Sequence, residues 1–206
     1  MSNNNNFNIH SLIPIESLLK NQAYVGGRWI DSCQQFTVTN PRSLSGLAKV
    51  ADLPAEQRQQ VLAACRKAFA PVSQEHRYQQ IGAWVDNIER CQNALTLILS
   101  QERGCSWDDA QSEVIEAISL ATQQLQVASE KLIESHTISH PEINTVHLTG
   151  NADTPFMSAL NDAMPLMLEG QLVVLHPDRK TPLSSLALAV IAEQSGLVAG
   201  SFNIIP

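Results

Sequence analysis

No two cysteines stand in a C-x-x-C pair; the only four are Cys33, Cys65, Cys91 and Cys105. This spacing matches neither a disulfide framework nor a thiolate zinc site, so reduced thiols and a cytoplasmic location are expected. Basic residues are also scarce, with 13 Lys and Arg against 20 Asp and Glu and a net charge of −7. Neutralising phosphates takes clustered cations, which excludes nucleic acid and acidic lipid as natural partners. Long apolar runs are missing as well. The most apolar stretch, Leu183 to Ala192, falls well short of the roughly 20 residues that span a bilayer. Ser2 to Asn6 is a polar low-complexity run, followed by neither the basic nor the apolar segment of a secretory signal. What remains is 44% hydrophobic and 16% charged, enough to bury a core.

Hydrophobic periodicity divides the chain into a tail (1–20), a hairpin and helical part (21–136) and an alternating unit (145–206). The tail carries one short amphipathic piece, Leu12 to Leu19. Tyr24 to Ile30 reads as two strands around Gly26-Gly27, and Phe36 to Thr39 as a third strand ended by Asn40-Pro41. Three helices follow. One opens near Pro54 with Val61, Leu62, Cys65, Ala68 and Phe69 on one side. The second runs from Gln74 to Leu99. The third starts at Ser106, whose spacing to Asp109 is a capping-box variant, and its stripe continues to Leu132. Residues 137–144 read as a linker.

Beyond the linker, short apolar runs alternate with helical stretches: strand Thr145–Leu148, helix Pro155–Leu168 kinked by Pro165, strand Leu172–Leu175, helix Pro182–Glu193, strand Phe202–Ile205. Thr181 is expected to cap the second of these helices and Gly196 to stop it. A β-α-β-α-β series predicts an α/β fold with a parallel sheet, preceded by the N-terminal hairpin and three helices.

These segments, in this order, resemble the N-terminal part of aldehyde dehydrogenases, especially the succinate-semialdehyde dehydrogenase branch. Gly170 to Pro206, GQLVVLHPDRKTPLSSLALAVIAEQSGLVAGSFNIIP, is similar to a family run G-x-x-V-V-L-K-P-x-x-x-T-P-L-S-A-L-x-L-A that ends in A-G-(L/V)-P-x-G-V-F-N-V-V. Tyr24 to Trp29 is similar to the family opening Y-(I/V)-x-G-x-W, Asn40-Pro41 to its N-P, and Gln101 to Gly104 to its E-x-G-K-P. The resemblance implies an incomplete Rossmann-like sheet and an ancestral NAD- or NADP-dependent oxidation of an aldehyde to an acid. In that chemistry a cysteine thiolate attacks the aldehyde, a hydride leaves to the cofactor, and a glutamate activates water.

The same resemblance places the family's nucleophilic cysteine and general-base glutamate C-terminal to everything here, so no catalytic residue is expected and the chain reads as truncated and inactive alone. Cys105, just before a helix, lacks a nearby base and is expected to be an ordinary thiol. Aligned on Pro155 and Pro165, Asp153 takes the place of the oxyanion-hole asparagine, where an ionised carboxylate would repel the developing charge, and an alignment starting at Thr154-Pro155 puts Met157 there instead; as a plain residue Asp153 is expected to cap the helix at Pro155. His176 takes the place of the family's cofactor lysine. With Asp178 and Arg179 it forms the candidate cofactor-binding set, Arg179 facing a 2′-phosphate and Asp178 opposing it. His136 and His140 are too few to hold a metal. Because the linker looks too short for the family's intersubunit arm, the ordinary family oligomer is not expected. Three roles remain open: a non-catalytic module binding another protein through an exposed strand edge at Phe202–Ile205, half of a split enzyme completed by a second chain, or a surviving NAD(P)-binding module.

Overall fold

The computed structural model describes residues 15–134 and 142–206. A single helical turn, α1 (Ile15–Leu18), leads into the hairpin β1 (Ala23–Val25) and β2 (Arg28–Ile30). Gly26 and Gly27 join them with φ of 61° and 75°, the left-handed pair that a two-residue turn needs and that a Cβ disfavours. The expected strand appears as β3 (Gln35–Thr39), but it is not alone. Strand β4 (Gly46–Ala51) pairs with it antiparallel in a separate two-stranded sheet. Gly-Leu-Ala-Lys-Val-Ala has little β propensity, so pairing rather than local preference makes this strand. Asn40 closes the connection by accepting from the backbone N–H groups of Arg42 and Ser43 at 2.9 and 3.0 Å.

Helix α2 (Ala55–Ala68) starts directly after Pro54. The single helix expected over Gln74–Leu99 is two, α3 (Gln74–Arg90) and α4 (Gln92–Arg103). Cys91 breaks them at ψ 5°, its N–H shared between the carbonyls of Asn87 and Ile88. Ile88 and Leu95 are both buried across the break, so the apolar stripe runs through it and hides it from pattern reading. Gly104, at φ 64°, ends α4. Helix α5 (Trp107–Glu134) begins at the expected cap, where Ser106 Oγ accepts from the Asp109 N–H at 3.1 Å.

The second unit has the predicted alternation: β5 (Thr145–Thr149), α6 (Pro155–Asn161), α7 (Ala163–Leu168), β6 (Leu172–His176), α8 (Leu183–Gln194) and β7 (Phe202–Ile204). Pro165 acts as expected, though the break falls at Asp162. Proline cannot donate to the carbonyl four residues back, and that carbonyl, of Asn161, instead takes the Gln124 side-chain amide at 3.3 Å. Gly196 stops α8 in a Schellman arrangement: its N–H reaches Glu193 O and the Leu197 N–H reaches Ala192 O.

Strands β5, β6 and β7 are parallel, and the sheet order is β2-β1-β7-β6-β5. The edge expected at Phe202–Ile205 is therefore not an edge. The hairpin lies along it, with Tyr24 opposite Ile204 and the Gly26 N–H donating to Asn203 Oδ1 at 2.8 Å. The sheet's outer strands are β2 and β5. The main core, including Trp84, Phe156, Leu186 and Phe202, packs on one face of the sheet; a smaller cluster with Leu53, Cys65 and Val174 fills the other face beneath α2.

Candidate functional site

In open parallel sheets, ligands sit where chain leaves the C-terminal ends of the strands. Here those exits are the loops after β5 (residues 150–154) and β6 (residues 177–182). Gly150 ties them together, donating its N–H to the His176 carbonyl at 2.7 Å. A Cβ on Gly150 would lie 2.8 Å from Pro177 Cα, so only glycine allows this approach.

The three candidate cofactor residues occupy this rim but do not converge. His176 ends β6, its Nε2 lying 3.1 Å from His147 Nδ1, and the two rings are stacked at 4°. Burial lowers the His176 pKa, and the neighbouring His147 and Arg58 lower it further, so the ring is neutral near pH 7. Asp178 turns back on its own loop and accepts from the Lys180 N–H at 2.8 Å. Arg179 is not offered to a phosphate: it forms an ion pair with Asp52 at 2.8 Å and stacks over Phe36 at 4.0 Å. That pair is exposed, 57% for Arg179 and 29% for Asp52, and contributes at most about 1 kcal/mol.

The two helices that leave this rim are capped by residues that pattern reading passed over. Asp153 is exposed and does not cap α6; the cap position is Thr154, whose side chain makes no cap bond. The α6 donors, Phe156 N–H and Met157 N–H, are taken at 3.0 and 3.1 Å by Glu113 from α5, which also pairs with Arg103 at 2.7 Å. Likewise Thr181 does not cap α8. Pro182 holds the cap position, and Leu183 N–H and Ser184 N–H donate to the carboxylate of Glu102 at 2.7 and 3.0 Å. Glu102 is 1% exposed, and burial pushes its pKa up to about 7 against the pull of those donors. Only its place in the Gln101–Gly104 motif marked Glu102 in the sequence. A cap supplied from 81 residues away leaves no local signature.

The thiols are not tuned for attack. Burial raises the pKa of Cys65, Cys91 and Cys105, outweighing the Arg103 charge near Cys105. Cys33 is exposed in the loop between β2 and β3. Among the described residues no three His, Cys, Asp or Glu side chains cluster as a metal site. His136 and His140 lie outside the described residues. Also among the described residues, no helix is long and apolar enough to cross a membrane.

A dinucleotide asks for a ribose partner, pyrophosphate donors and a nicotinamide pocket. With His176 bonded to His147 and Arg179 to Asp52, these side chains fit at most the ribose end, so no chemical step can be built on a cofactor here.

Residues 29–206 match the model of the aldehyde dehydrogenase family. A 3-sulfolactaldehyde dehydrogenase from Pseudomonas putida is 28% identical, over 92% of this chain and 42% of that protein. The mitochondrial succinate-semialdehyde dehydrogenase of Homo sapiens is 27% identical, over 92% of this chain and 38% of that protein. Among solved structures, an aldehyde dehydrogenase from Brucella melitensis biovar abortus 2308 superposes with a TM-score of 0.80 at 28% identity, covering 92% of this chain and 42% of that one. The chain thus spans about two-fifths of the length of these relatives.

Proposed function

The chain belongs to the aldehyde dehydrogenase family, and from that premise we propose that these 206 residues form a scaffold part of the fold, the helical layer and one side of the cofactor sheet, and do not oxidise aldehydes by themselves. The observation that carries this reading is the state of the thiols. Aldehyde attack needs a thiolate, yet every cysteine with a displaced pKa is displaced away from it, and no base is bonded to any of them. The rim supports the same reading. Asp153 stands where the resemblance puts an amide donor, and it offers an exposed carboxylate to a developing oxyanion. The unpaired cysteines support a cytoplasmic location.

Purified chain mixed with succinate semialdehyde and either NAD or NADP should give no reduced nicotinamide absorbance. Titration of each cofactor to millimolar concentration in a calorimeter should give no heat. Aldehyde-dependent reduction by the pure chain would overturn the proposal. If it survived replacement of all four cysteines by alanine, the thiolate mechanism would fall as well.

A further inference from the structure

The loop after β6 (residues 177–182) is fastened at two points of unequal strength. Its outer side is held by the Arg179–Asp52 pair, which lies in water and is correspondingly weak. Its inner end runs into the first turn of α8, where Leu183 N–H and Ser184 N–H close on Glu102 of α4 at 2.7 and 3.0 Å. Leu183, Ser184 and Glu102 are all buried, so this second fastening lies inside the protein. It also rests on a titratable group.

Among the described residues no cation pairs with Glu102: Arg103, next in sequence, turns to Glu113 at 2.7 Å. Helix α8 carries no charged side chain before Glu193, near its far end. The titratable group acting on Glu102 across the packing is Glu113 of α5, a like charge. An ionised Glu102 therefore has two backbone donors and no counter-ion, and burying such a charge is costly. The neutral acid avoids that cost, and its O–H has an acceptor at hand. Ser184 Oγ lies beside the carboxyl, fully buried, with no hydrogen-bond partner of its own. Burial holds the Glu102 pKa up at about 7 against its donors, so both forms are populated in the neutral range.

We infer that the α4–α8 joint is a pH-operated clasp: neutral Glu102 keeps the first turn of α8 and the rim loop closed, and ionised Glu102 lets them open to water. In the open joint the carboxyl ionises as an ordinary glutamate near 4.5, and in the closed joint near 7. Opening therefore becomes easier as pH rises between those values and levels off above 7. The clasp involves neither aldehyde nor cofactor, and stands or falls apart from the proposed function.

The test is amide hydrogen exchange of the 206-residue chain between about pH 5 and 8, each rate corrected for the intrinsic rate at that pH. The Leu183 and Ser184 amides should exchange faster than those of Val173 to Leu175 at every pH, because the joint opens without unfolding the sheet. Their opening should rise on the order of a hundredfold across that range. In Glu102→Gln, which keeps an acceptor for the N–H groups and cannot ionise, opening should stay flat. Opening that ignores pH in the wild type, or rises equally in the variant, overturns the inference. So do Leu183 and Ser184 amides as slow as those of the sheet, because the pH effect would then be one of global unfolding. Should the variant fail to fold, the carboxyl carbon resonance of Glu102 in the wild type decides. A midpoint near 7, shared with the Leu183 amide, supports the clasp; a midpoint near 4.5 sinks it.

Discussion

At the scale of single residues, the strongest determinants are polar groups placed where the chain exposes backbone. Asn203, fully buried in β7, is saturated: Nδ2 donates to the carbonyls of Val173 and Gly200 at 2.8 and 2.7 Å, and Oδ1 accepts from Gly26 N–H at 2.8 Å. Asn203→Leu would remove the side-chain partner of three backbone groups and should cost about 2–4 kcal/mol in urea unfolding. Glu102 makes a pH prediction. Its folded pKa, about 7, lies above the ordinary 4.5. The folded state therefore holds the proton more tightly, and this group's stabilisation is full below pH 4.5 and lost as pH rises through 7. The loss is on the order of 3 kcal/mol. Measured against Glu102→Gln, which does not titrate, wild-type stability should fall between pH 5 and 8 by that order. A difference that stays flat across the range would contradict the assignment.

At the scale of elements, turns and helix ends were read well where one residue carries the signal. Gly26-Gly27, Ser106 with Asp109, Pro165 and Gly196 act as their chemistry demands, because φ, a missing N–H or a hydroxyl three residues from a donor are local properties. Two glycines separate strain from crowding. Gly196, at φ 72°, has open space where a Cβ would go, whereas Gly27, at φ 75°, would set one 2.9 Å from Ala199 Cβ. Gly196→Ala should cost about 1 kcal/mol for the left-handed backbone alone, and Gly27→Ala clearly more. Equal costs by denaturant unfolding would show that the hairpin turn can move away from Ala199. Strand β4 and the break at Cys91 were illegible for the opposite reason. The first depends on a partner strand, and the second lies within an unbroken apolar stripe.

At the scale of the whole molecule, the hairpin closes over β7 and leaves β2 and β5 outermost. The Val173, Val174 and Leu175 amides should therefore exchange with solvent only by global unfolding, and those of Arg28–Ile30 by local opening. Uniform rates across β2 and β6 would mean the hairpin and the sheet open as one unit. Of the candidate site, His176, Asp178 and Arg179 lie at or just after the end of β6 as the strand order predicts, but their partners His147, Lys180 and Asp52 were not foreseeable. Only Lys180 is near in sequence.

By itself the sequence determined the order and type of most elements and the family, because periodicity, turn residues and motifs are written within a few residues of one another. The tertiary structure alone decided which strand is left at the edge, which carboxylates cap α6 and α8, and that His176 and Arg179 are already engaged. Each of these is a contact between residues tens of positions apart, and a backbone donor or a charge accepts whichever partner the fold brings within reach.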